Sequence, residues 1–529
     1  MSTESNALTL EHVLLNNAVQ ASPKEIALSD GYRSVNWQDL RDRSVALAEI
    51  MQSELSLIAD QHIALLVGNR VEFIELMLAG MIAGVWITPV NTHLQADEVS
   101  YIVKDSEAKV VFFDTAHEHL LADHGQRADL TSNSHRYINI ESLAEKITQR
   151  LANAKVTDLY ACFPLSGPAG GTMLYTSGTT GKPKGVKRNK PNSLGEALDR
   201  MQSGGALFGL VGTGPHIVTG PLYHAAPMLF ALYDLLNGAP MVIMPKWDNL
   251  AFIQLVAQHK ATTTHLVPTM CVRLLNALAE DPEQYAAHDI SSLTLALHGA
   301  APIAKTTKQK MLDWWGPILV EYWGGTEAGV TTIVTSEQWL SHSGTVGKAL
   351  SHFDVFVGDK QGNEILSESD KTEGLLFCRH HQLSQVFEYH HDHSKTLKAH
   401  PQPYVFCIGD IGYVDDEGFV YLSDRESNMI ISGGVNIYPA ETEQILLEHE
   451  AVADVAVFGV PSEEWGEVVK AAVQLKPGYD DTSELEQQMI AWVREKIAIY
   501  KAPRSIVFEA SLPRTPTGKL LVRKLKEKY

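Results

Sequence analysis

Apolar segments of strand and helix character alternate over roughly the first 150 residues, and this alternation constrains the fold more than any other feature. Residues 63–69 (IALLVGN) and 108–113 (AKVVFF) have the composition of buried strands, and residues 71–84 (VEFIELMLAGMIAG) that of a buried helix. Such alternation predicts parallel strands joined by crossover helices, which is a doubly wound α/β region. The pattern returns between about 215 and 320, so we expect a second α/β subdomain.

The sequence changes character twice more towards its end. From about Gly344 to Asp424, short alternating stretches lie between Gly and Asp turns, which is typical of antiparallel β structure. Residues 428–529 combine strands with a helix-forming segment, SELEQQMIAWVREKI, and predict a small α+β domain. A chain of 529 residues is too long for one hydrophobic core, so two or more domains are expected.

Charge and cysteine content narrow the class of function. The net charge of −20 disfavours nucleic acid and anionic lipid as main partners, because both are polyanions. The four cysteines are far apart and form no CxxC pair, which argues against a disulfide framework or a zinc site and is typical of a reducing cytoplasm. The longest apolar run, residues 76–90, is shorter than the roughly 20 residues that span a bilayer, so no integral membrane segment is predicted.

A loop rich in glycine and threonine at residues 175–185 (YTSGTTGKPKG) is the sharpest local feature. Its glycines let the backbone approach a ligand closely, and its hydroxyl and ammonium groups are suited to a polyphosphate. The loop is not a P-loop, since Gly178 and Gly181 are only three residues apart and Pro183 follows Lys182. On its own, the loop is also compatible with a flexible surface hairpin. The candidate phosphate-binding residues are Thr176, Ser177, Gly178, Thr179, Thr180, Gly181 and Lys184.

Further motifs follow the loop, and together they identify a family. They are PLYHAAP (221–227), GAAP (299–302), EYWGGTEAG (321–329), GDIGYVDDEGFVYLSDR (409–425), ISGGVNIYPAETE (431–443) and PRTPTGK (513–519). In this order they closely resemble the adenylate-forming superfamily, which includes acyl- and aryl-CoA synthetases, peptide-synthetase adenylation domains and beetle luciferase. The motifs cover about the last two-thirds of the chain, and the first third matches only in general pattern.

The resemblance implies a fold and an ATP site. The fold would be a large N-terminal domain, residues 1–426, of two doubly wound α/β subdomains plus a small β-barrel, followed by a small mobile α+β domain, residues 427–529. Trp323 would stack on adenine. The other implied roles are Gly299, Ala300 and Ala301 on the opposite face of adenine, Asp410 and Arg425 at the ribose, Thr326 at the α-phosphate, and Glu327 as the ligand of Mg²⁺.

The resemblance also implies a catalytic lysine and a moving domain. Lys519 would bridge the substrate carboxylate and the α-phosphate, and would leave the site when the C-terminal domain rotates about Ser427. At this hinge the relatives usually have Asp or Lys, followed by Asp, whereas this chain has Ser427 and Asn428. The CoA tunnel would be lined by Ser432, Gly433 and Gly434, and the acyl pocket by His224, Met228, His298, Gly324 and Gly325.

These roles predict an AMP-forming acyl-CoA synthetase that uses ATP, Mg²⁺ and coenzyme A. The mostly apolar or small pocket residues favour a hydrophobic acid, either fatty or bulky and ring-bearing such as a sterol side chain or an aryl acid. The alternatives are an adenylation enzyme that loads a carrier protein, a luciferase-like oxygenase, and a non-catalytic nucleotide-binding homologue. The acceptor, CoA or a carrier protein, and the oligomeric state, including a homodimer, stay open.

A run of histidines at residues 390–393 (HHDH), with His380 and His381 upstream, raises the question of a metal site. No second ligand group lies at helix or hairpin spacing from the run. The sequence therefore favours a surface loop rather than a metal site at this position.

Overall fold

The structure is a computed structural model of the chain, and it describes residues 9–121, 136–176, 183–365, 372–425, 428–432, 435–463, 465–515 and 520–529. The first part alternates strands and helices, with short 3-10 helices at Thr115–Leu121 and Ile140–Ser142. Its elements are α1 Leu10–Val13, α2 Asn16–Ala21, β1 Ile26–Ser29, β2 Ser34–Asn36, α3 Trp37–Ser53, β3 His62–Leu66, α4 Val71–Ala83, β4 Trp86–Pro89, α5 Ala96–Asp105, β5 Ala108–Phe113, β6 Arg136–Asn139, α6 Leu143–Asn153, α7 Val156–Ala161, β7 Gly171–Thr176 and β8 Lys184–Arg188.

The middle of the chain repeats the strand and helix alternation, as predicted. Its elements are α8 Leu194–Ala206, β9 His216–Val218, α9 Ala225–Leu236, β10 Met241–Ile243, α10 Asn249–His259, β11 Thr263–Leu266, α11 Pro268–Glu280, α12 Pro282–Ala286, β12 Leu295–His298, α13 Lys305–Trp315, β13 Leu319–Gly325, β14 Gly329–Thr335 and α14 Ser336–Ser341.

The last two parts are antiparallel β structure and a small α+β unit. The former contains β15 Thr345–Ala349, β16 Phe353–Gly358, β17 Gly374–His380, β18 Phe387–Tyr389, α15 His393–Ala399, β19 Val405–Phe406, β20 Asp410–Val414 and β21 Val420–Arg425. The latter contains β22 Ile430–Ser432, β23 Val435–Ile437, α16 Pro439–Leu447, β24 Val452–Ser462, β25 Gly466–Leu475, α17 Ser483–Lys496, a 3-10 turn Ile499–Lys501, β26 Ser505–Phe508 and α18 Val522–Lys528.

The strands form three sheets. The largest has 14 strands in the order β16-β17-β20-β21-β15-β14-β13-β12-β11-β9-β10-β1-β2, with β19 beside β17. The second has the order β18-β8-β7-β4-β3-β5-β6, and the third β23-β22-β25-β24 with β26 beside β25. Within the first two sheets, β10-β9-β11-β12-β13 and β7-β4-β3-β5-β6 are parallel runs, which confirms the α/β class.

The antiparallel strands do not make a separate closed barrel among the described residues. Strand β14 pairs with β15 and β15 with β21, so these strands continue the largest sheet. The predicted fold class, with a large N-terminal and a small C-terminal domain, is confirmed, but the small β-barrel is replaced by this extension. The physical reason is that β15 is hydrogen-bonded on both edges and links the two groups of strands.

Helix α4 illustrates how local sequence defines an element. Its residues are almost all buried, in agreement with the apolar composition of the segment. The helix ends where predicted, because Gly84 adopts the left-handed conformation with φ of 78°, which glycine adopts without steric cost. Helix α4 and strand β3 share one hydrophobic core with α9 and β10, so helices pack between the two large sheets. No helix in the described ranges combines the length and apolar character needed to cross a membrane.

The C-terminal unit contacts the large domain near the predicted hinge. The backbone N–H of Ala440, at the start of α16, donates to Asp424 Oδ2 at 3.0 Å, and Asn428 Nδ2 donates to Asp424 Oδ1 at 3.1 Å. Burial raises the pKa of the Asp424 carboxyl. One turn further along α16, Glu443 Oε1 accepts a hydrogen bond from the Val457 N–H at 2.8 Å, and burial raises the pKa of its carboxyl to about 8.

Glu443 predicts a pH-dependent stability. The folded chain binds its proton more tightly than the unfolded chain, where the pKa is 4.5, so this group loses stabilisation as the pH rises from about 4.5 to about 8. Glu443→Gln keeps the acceptor for Val457 and cannot ionise. We expect the melting temperature of the variant, relative to wild type, to be higher at pH 8.5 than at pH 5. Glu450→Gln, an exposed glutamate, should show equal differences at both values. A constant difference for Glu443→Gln would contradict the prediction.

Candidate active site

The hairpin of β13 and β14 carries Trp323, Gly324, Gly325, Thr326 and Glu327 at its turn. The hydroxyl of Thr331 donates to the Trp323 carbonyl at 3.0 Å, and the strand register shifts between Trp323 and Gly324. A Cβ atom on Gly324 would lie 2.0 Å from the Gly329 carbonyl oxygen, so only glycine fits where the two strands approach this closely. The glycine fixes the backbone that presents Thr326 and Glu327.

Three residues predicted to bind the nucleoside form one hydrogen-bonded unit. Trp323 Nε1 donates to Asp410 Oδ2 at 2.9 Å, and Arg425 Nε lies 3.0 Å from Asp410 Oδ1. Asp410 and Arg425 face each other across β20 and β21. Asp410 is only 5 % exposed, and burial raises the pKa of its carboxyl, while the Arg425 charge opposes this shift. The guanidinium and the indole N–H therefore keep a buried acceptor in place.

Glu327 is held by a residue that the sequence did not single out. The Tyr389 hydroxyl donates to Glu327 Oε1 at 3.1 Å, and the Lys395 ammonium lies 3.8 Å from the centre of the tyrosine ring. Burial, together with the Glu327 charge, raises the pKa of Tyr389, so its hydroxyl stays a donor. Tyr389 directly precedes the histidine run, and no spacing or motif distinguished it from a core aromatic.

The carboxylate of Glu327 is chemically suited to Mg²⁺. Tyr389 donates one hydrogen bond to one of its oxygens, which leaves further lone pairs on both oxygens. Mg²⁺ in nucleotide sites is typically held by one or two carboxylates together with substrate phosphates and waters. A single carboxylate at this position is therefore compatible with the ion.

The predicted phosphate loop lies between β7 and β8. These strands are antiparallel, and Thr176 lies opposite Lys184 at the base of the loop. Lys184 Nζ is 3.2 Å from Asp392 Oδ2. Strand β18 pairs with β8, with Tyr389 opposite Val186. Because Tyr389 also hydrogen-bonds to Glu327, strand β18 connects the loop hairpin to this carboxylate. The predicted residues Ser177, Gly178, Thr179, Thr180 and Gly181 lie outside the described residues.

The segment predicted to cover adenine follows β12, next to the strand of Trp323. Strand β12 is parallel to β13, with His298 opposite Glu321. A Cβ atom on Gly299 would lie 2.7 Å from the Tyr322 ring, and Ala300 has a φ of 67°. A left-handed alanine costs of order 1–2 kcal/mol, which is typical of segments that surrounding structure holds at a site. The neighbouring Ala301 is half-buried.

The predicted acyl residues lie around the start of α9 and the end of β12. His224 occupies the position before the first residue of α9, and Met228 in the first turn of this helix is buried. His298 is 1 % exposed, and neither of its ring nitrogens has a hydrogen-bond partner in the described part of the chain. Burial holds the pKa of His298 well below 6.5, so the ring is neutral.

A buried ion pair adjoins His298, and the sequence missed it. Lys308 Nζ lies 2.6 Å from Glu321 Oε2, and His298 Nε2 is 4.0 Å from the same oxygen. The sequence predicted a pocket of mostly apolar or small side chains, whereas the surroundings of His298 are charged. Lys308 lies on an amphipathic helix where a lysine normally faces water, so no local signal marked it as buried.

The residues predicted for the second half-reaction are placed only in part. Ser432 ends β22 and pairs with Val435 and with Gly466. Gly433, Gly434, Ser427 and Lys519 lie outside the described residues. Just before Lys519, the Arg514 guanidinium binds both oxygens of Asp454 at 3.0 Å and 2.7 Å, which anchors the preceding segment on β24.

Fold and site together define an α/β protein with a buried Trp323–Asp410–Arg425 cluster, a loop rich in glycine and threonine between β7 and β8, and a small C-terminal domain. Residues 15–387 match the family described as AMP-binding enzyme, and residues 441–519 match the AMP-binding enzyme C-terminal domain. The chain belongs to this family of AMP-binding enzymes, within the adenylate-forming superfamily that the motifs resemble.

Several proteins similar to this chain are CoA ligases. A long-chain-fatty-acid–CoA ligase, FadD13 of Mycobacterium tuberculosis, is 30 % identical over 486 residues, which cover 90 % of this chain and 89 % of the relative. A 2-succinylbenzoate–CoA ligase of Listeria monocytogenes is 30 % identical over 97 % of this chain and 99 % of the relative. The o-succinylbenzoate CoA synthetase of Bacillus subtilis, solved with its acyl-adenylate, has a TM-score of 0.77 and 25 % identity over 97 % of each chain.

Proposed function

We propose that this protein is an AMP-forming acyl-CoA synthetase, an acid–thiol ligase. It converts a carboxylic acid and ATP to acyl-AMP and pyrophosphate, and then transfers the acyl group to the thiol of coenzyme A with release of AMP. The observation that carries the proposal is the Trp323–Asp410–Arg425 unit beside Glu327 and the β7–β8 hairpin. The Mycobacterium and Listeria relatives, both named as CoA ligases, support the same reaction.

The first half-reaction brings two anions together, so the site must supply positive charge. In our proposal the ammonium of Lys519 lies between the substrate carboxylate and the α-phosphate, and Thr326 and the loop residues bind the phosphates. Mg²⁺ held by Glu327 supplies charge neutralisation at the phosphates when it is bound. Asp410, Arg425 and Trp323 fix the nucleoside, and this positioning contributes the entropic part of the catalysis.

The second half-reaction requires a change of domain orientation. We propose that residues 1–426 and 427–529 act as two bodies, that Ser427 is the hinge, and that rotation withdraws Lys519 and brings residues 432–435 to the thiol path. The hydrogen bond between the Ala440 N–H and Asp424 crosses this boundary and would have to break. Ser and Asn tolerate turn conformations, so the departure from the usual hinge residues is compatible with the motion.

A hinge variant tests this motion. Ser427→Pro restricts φ and should slow thioester formation at least several-fold, while Ser427→Asp, the residue typical of relatives, should stay close to wild type. Single-turnover rates of acyl-AMP formation and of its reaction with CoA measure the two steps separately. If proline slows neither step, Ser427 is not the hinge.

We propose that the acid is hydrophobic. The buried imidazole of His298 favours a ring-bearing acid over a plain alkyl chain. Neither ring nitrogen of His298 has a hydrogen-bond partner among the residues that the structure describes, and such buried groups are normally satisfied. An oxygen substituent on the substrate would satisfy one. A CoA ligase of Rhodococcus jostii named for a methyl-dioxo-octahydroindenyl propanoyl group is 28 % identical over 97 % of each chain. Fatty acids are the second candidate class, supported by the Mycobacterium relative.

We also propose that the reaction takes place in the cytoplasm. Widely spaced cysteines, of which Cys271 and Cys378 are buried thiols, are compatible with a reducing cytoplasm. A role in lipid or fatty-acid metabolism follows from the hydrophobic acid, and a homodimer is an assembly to be tested by light scattering. Small molecules, namely the acid, ATP and CoA, are the expected partners.

A panel of acids tests the function. Purified protein with ATP, Mg²⁺ and palmitate, 2-succinylbenzoate or a dioxo-octahydroindenyl propanoate should release pyrophosphate with at least one acid, and CoA should then yield thioester and AMP. Release with amino acids alone would favour a carrier-loading adenylation enzyme. An oxygen-dependent product without thioester would indicate an oxygenase. No release with any acid would leave the non-catalytic homologue as the explanation.

A further inference from the structure

Three side chains outside the nucleotide site could share a metal ion. Glu107 lies in the turn between α5 and β5, and His390 and His391 follow β18. One ligand atom of each lies within 4.8 Å of the others, and His391 Nε2 is 3.8 Å from Glu107 Oε1. The histidine run lacked a second ligand group in the sequence. The fold places Glu107, which lies almost 300 residues earlier in the chain, beside the run. This carboxylate is the second ligand group that the sequence lacked at helix or hairpin spacing.

His390 has a nitrogen available as a ligand. The side chain is 8 % exposed, and its Nε2 atom has no hydrogen-bond partner in the described ranges. Buried polar atoms normally have a partner, so a buried imidazole nitrogen that no described group satisfies is suited to bind a metal ion.

The other two groups are held at the site by unusual backbone conformations. Glu107 has a φ of 55° and His391 a φ of 56°, both in the left-handed region that residues with a side chain seldom adopt. Hydrogen bonds fix both turns, from the Glu107 N–H to the Lys104 carbonyl at 3.1 Å and from the Asp392 N–H to the Tyr389 carbonyl at 3.0 Å. The two side chains are 62 % and 56 % exposed, so an ion can reach them from solvent.

The charges around the cluster include both signs. The ammonium of Lys187 opposes a cation, and it lowers the pKa of His62 as well as that of His390. Negative charges near Lys187 raise its pKa, and they partly offset its positive charge; they belong to Glu107, Asp60 and Glu388. His62 is buried, its Nδ1 has no hydrogen-bond partner among the described residues, and its ring centre is 5.7 Å from that of His390. It is therefore a neutral neighbour of the cluster rather than a competing charge.

We propose that Glu107, His390 and His391 bind one divalent transition-metal ion of the Zn²⁺ type, with water in the remaining position. Two imidazoles and one carboxylate favour Zn²⁺, Co²⁺ or Ni²⁺ over Mg²⁺ and Ca²⁺, which prefer oxygen ligands. Tetrahedral ligands at about 2.0–2.1 Å from zinc lie roughly 3.3 Å apart, so small side-chain movements close the site.

The ion would join segments that flank the phosphate loop. The backbone N–H of His390 donates to the Gly185 carbonyl at 2.8 Å, and the Tyr175 hydroxyl donates to Asp105 Oδ2 at 2.7 Å. A metal at the cluster therefore links the turn after α5 and the segment after β18 to both strands of the loop hairpin. The expected consequence is stabilisation of the folded chain by metal binding, which does not depend on the proposed reaction.

Titration of the full-length, chelator-treated protein tests the proposal. With excess Mg²⁺ and no nucleotide, we expect Zn²⁺ to bind at one site per chain by calorimetry, Co²⁺ to give visible absorption bands, and Zn²⁺ to raise the melting temperature. His391→Ala and Glu107→Gln should each weaken Zn²⁺ binding at least tenfold and remove the bands, whereas His393→Ala, in the same run but outside the cluster, should leave both unchanged. Equal binding by wild type and both ligand variants, or no binding by wild type, would overturn the proposal.

Discussion

Replacing Lys519 with alanine should lower the rate of acyl-adenylate formation by roughly 10²–10³-fold or more, the range seen when one electrostatic stabiliser of a transition state is removed. The ammonium is proposed to offset repulsion between the substrate carboxylate and the α-phosphate, a repulsion that is greatest as the two react. Nucleotide affinity should change by no more than a few-fold, because the Trp323–Asp410–Arg425 unit, which is proposed to hold the nucleoside, is intact. Pyrophosphate release and ATP titration calorimetry measure the two quantities.

The C-terminal tail offers a matched control for this experiment. Lys524 is an exposed lysine five residues further on, so Lys524→Ala removes the same charge from the same tail. It should retain the wild-type rate. The reaction of preformed acyl-AMP with CoA should also persist in Lys519→Ala, because Lys519 is proposed to leave the site before this step. Unchanged adenylation in Lys519→Ala would contradict the role proposed for Lys519. It would not contradict the binding of ATP by the other residues.

Replacing Lys308 with methionine should destabilise the protein by about 3–5 kcal/mol, the cost typical of leaving one partner of a buried ion pair without its counter-charge. Lys308 is fully buried, and its ammonium lies 2.6 Å from Glu321 Oε2. Burial raises the pKa of Glu321 and lowers that of Lys308, and each charge opposes the shift of the other. Thermal melting and pulse proteolysis measure the loss, and they report on the large domain that contains both residues.

A double variant separates this ion pair from simple packing. Lys308→Met with Glu321→Met removes both charges and should recover much of the lost stability, since buried pairs are often replaceable by apolar residues of similar volume. Lys310→Met on the exposed side of the same helix should change the stability by no more than about 0.5 kcal/mol. A double variant no more stable than Lys308→Met would show that the methionine itself, rather than the unpaired charge, is responsible.

Much of the fold could be predicted because its elements have local signals. The composition of residues 71–84 indicated a buried helix, and Gly84 marked its end. Alternating stretches predicted antiparallel strands between about residues 344 and 424, and the segment SELEQQMIAWVREKI predicted α17. Whether the antiparallel strands close into a barrel could not be predicted from local patterns, because closure depends on which strand edges pair. The pairing of β15 with both β14 and β21 is a property of the whole sheet.

In the candidate site, too, the local contacts could be predicted and the long-range contacts could not. Asp410 and Arg425 lie at the two ends of one motif, and a single hairpin brings them together. Tyr389 and Glu327 are 62 residues apart, and their contact depends on strand β18 joining β8 rather than the sheet of its neighbours in the chain. Short-range patterns do not encode such pairings, so Tyr389 and Lys395 were not distinguishable in advance.

By itself, the sequence determined the α/β class, the family and the identity of most candidate nucleotide-binding residues. These features depend on local periodicity and on contiguous motifs, which a sequence shows directly. Only the tertiary structure decided that Lys308 is buried against Glu321 and that Glu107 meets His390 and His391. The physical reason is that sheet order brings distant segments into contact. Burial and charge pairing then follow from contacts between residues that are far apart in the chain.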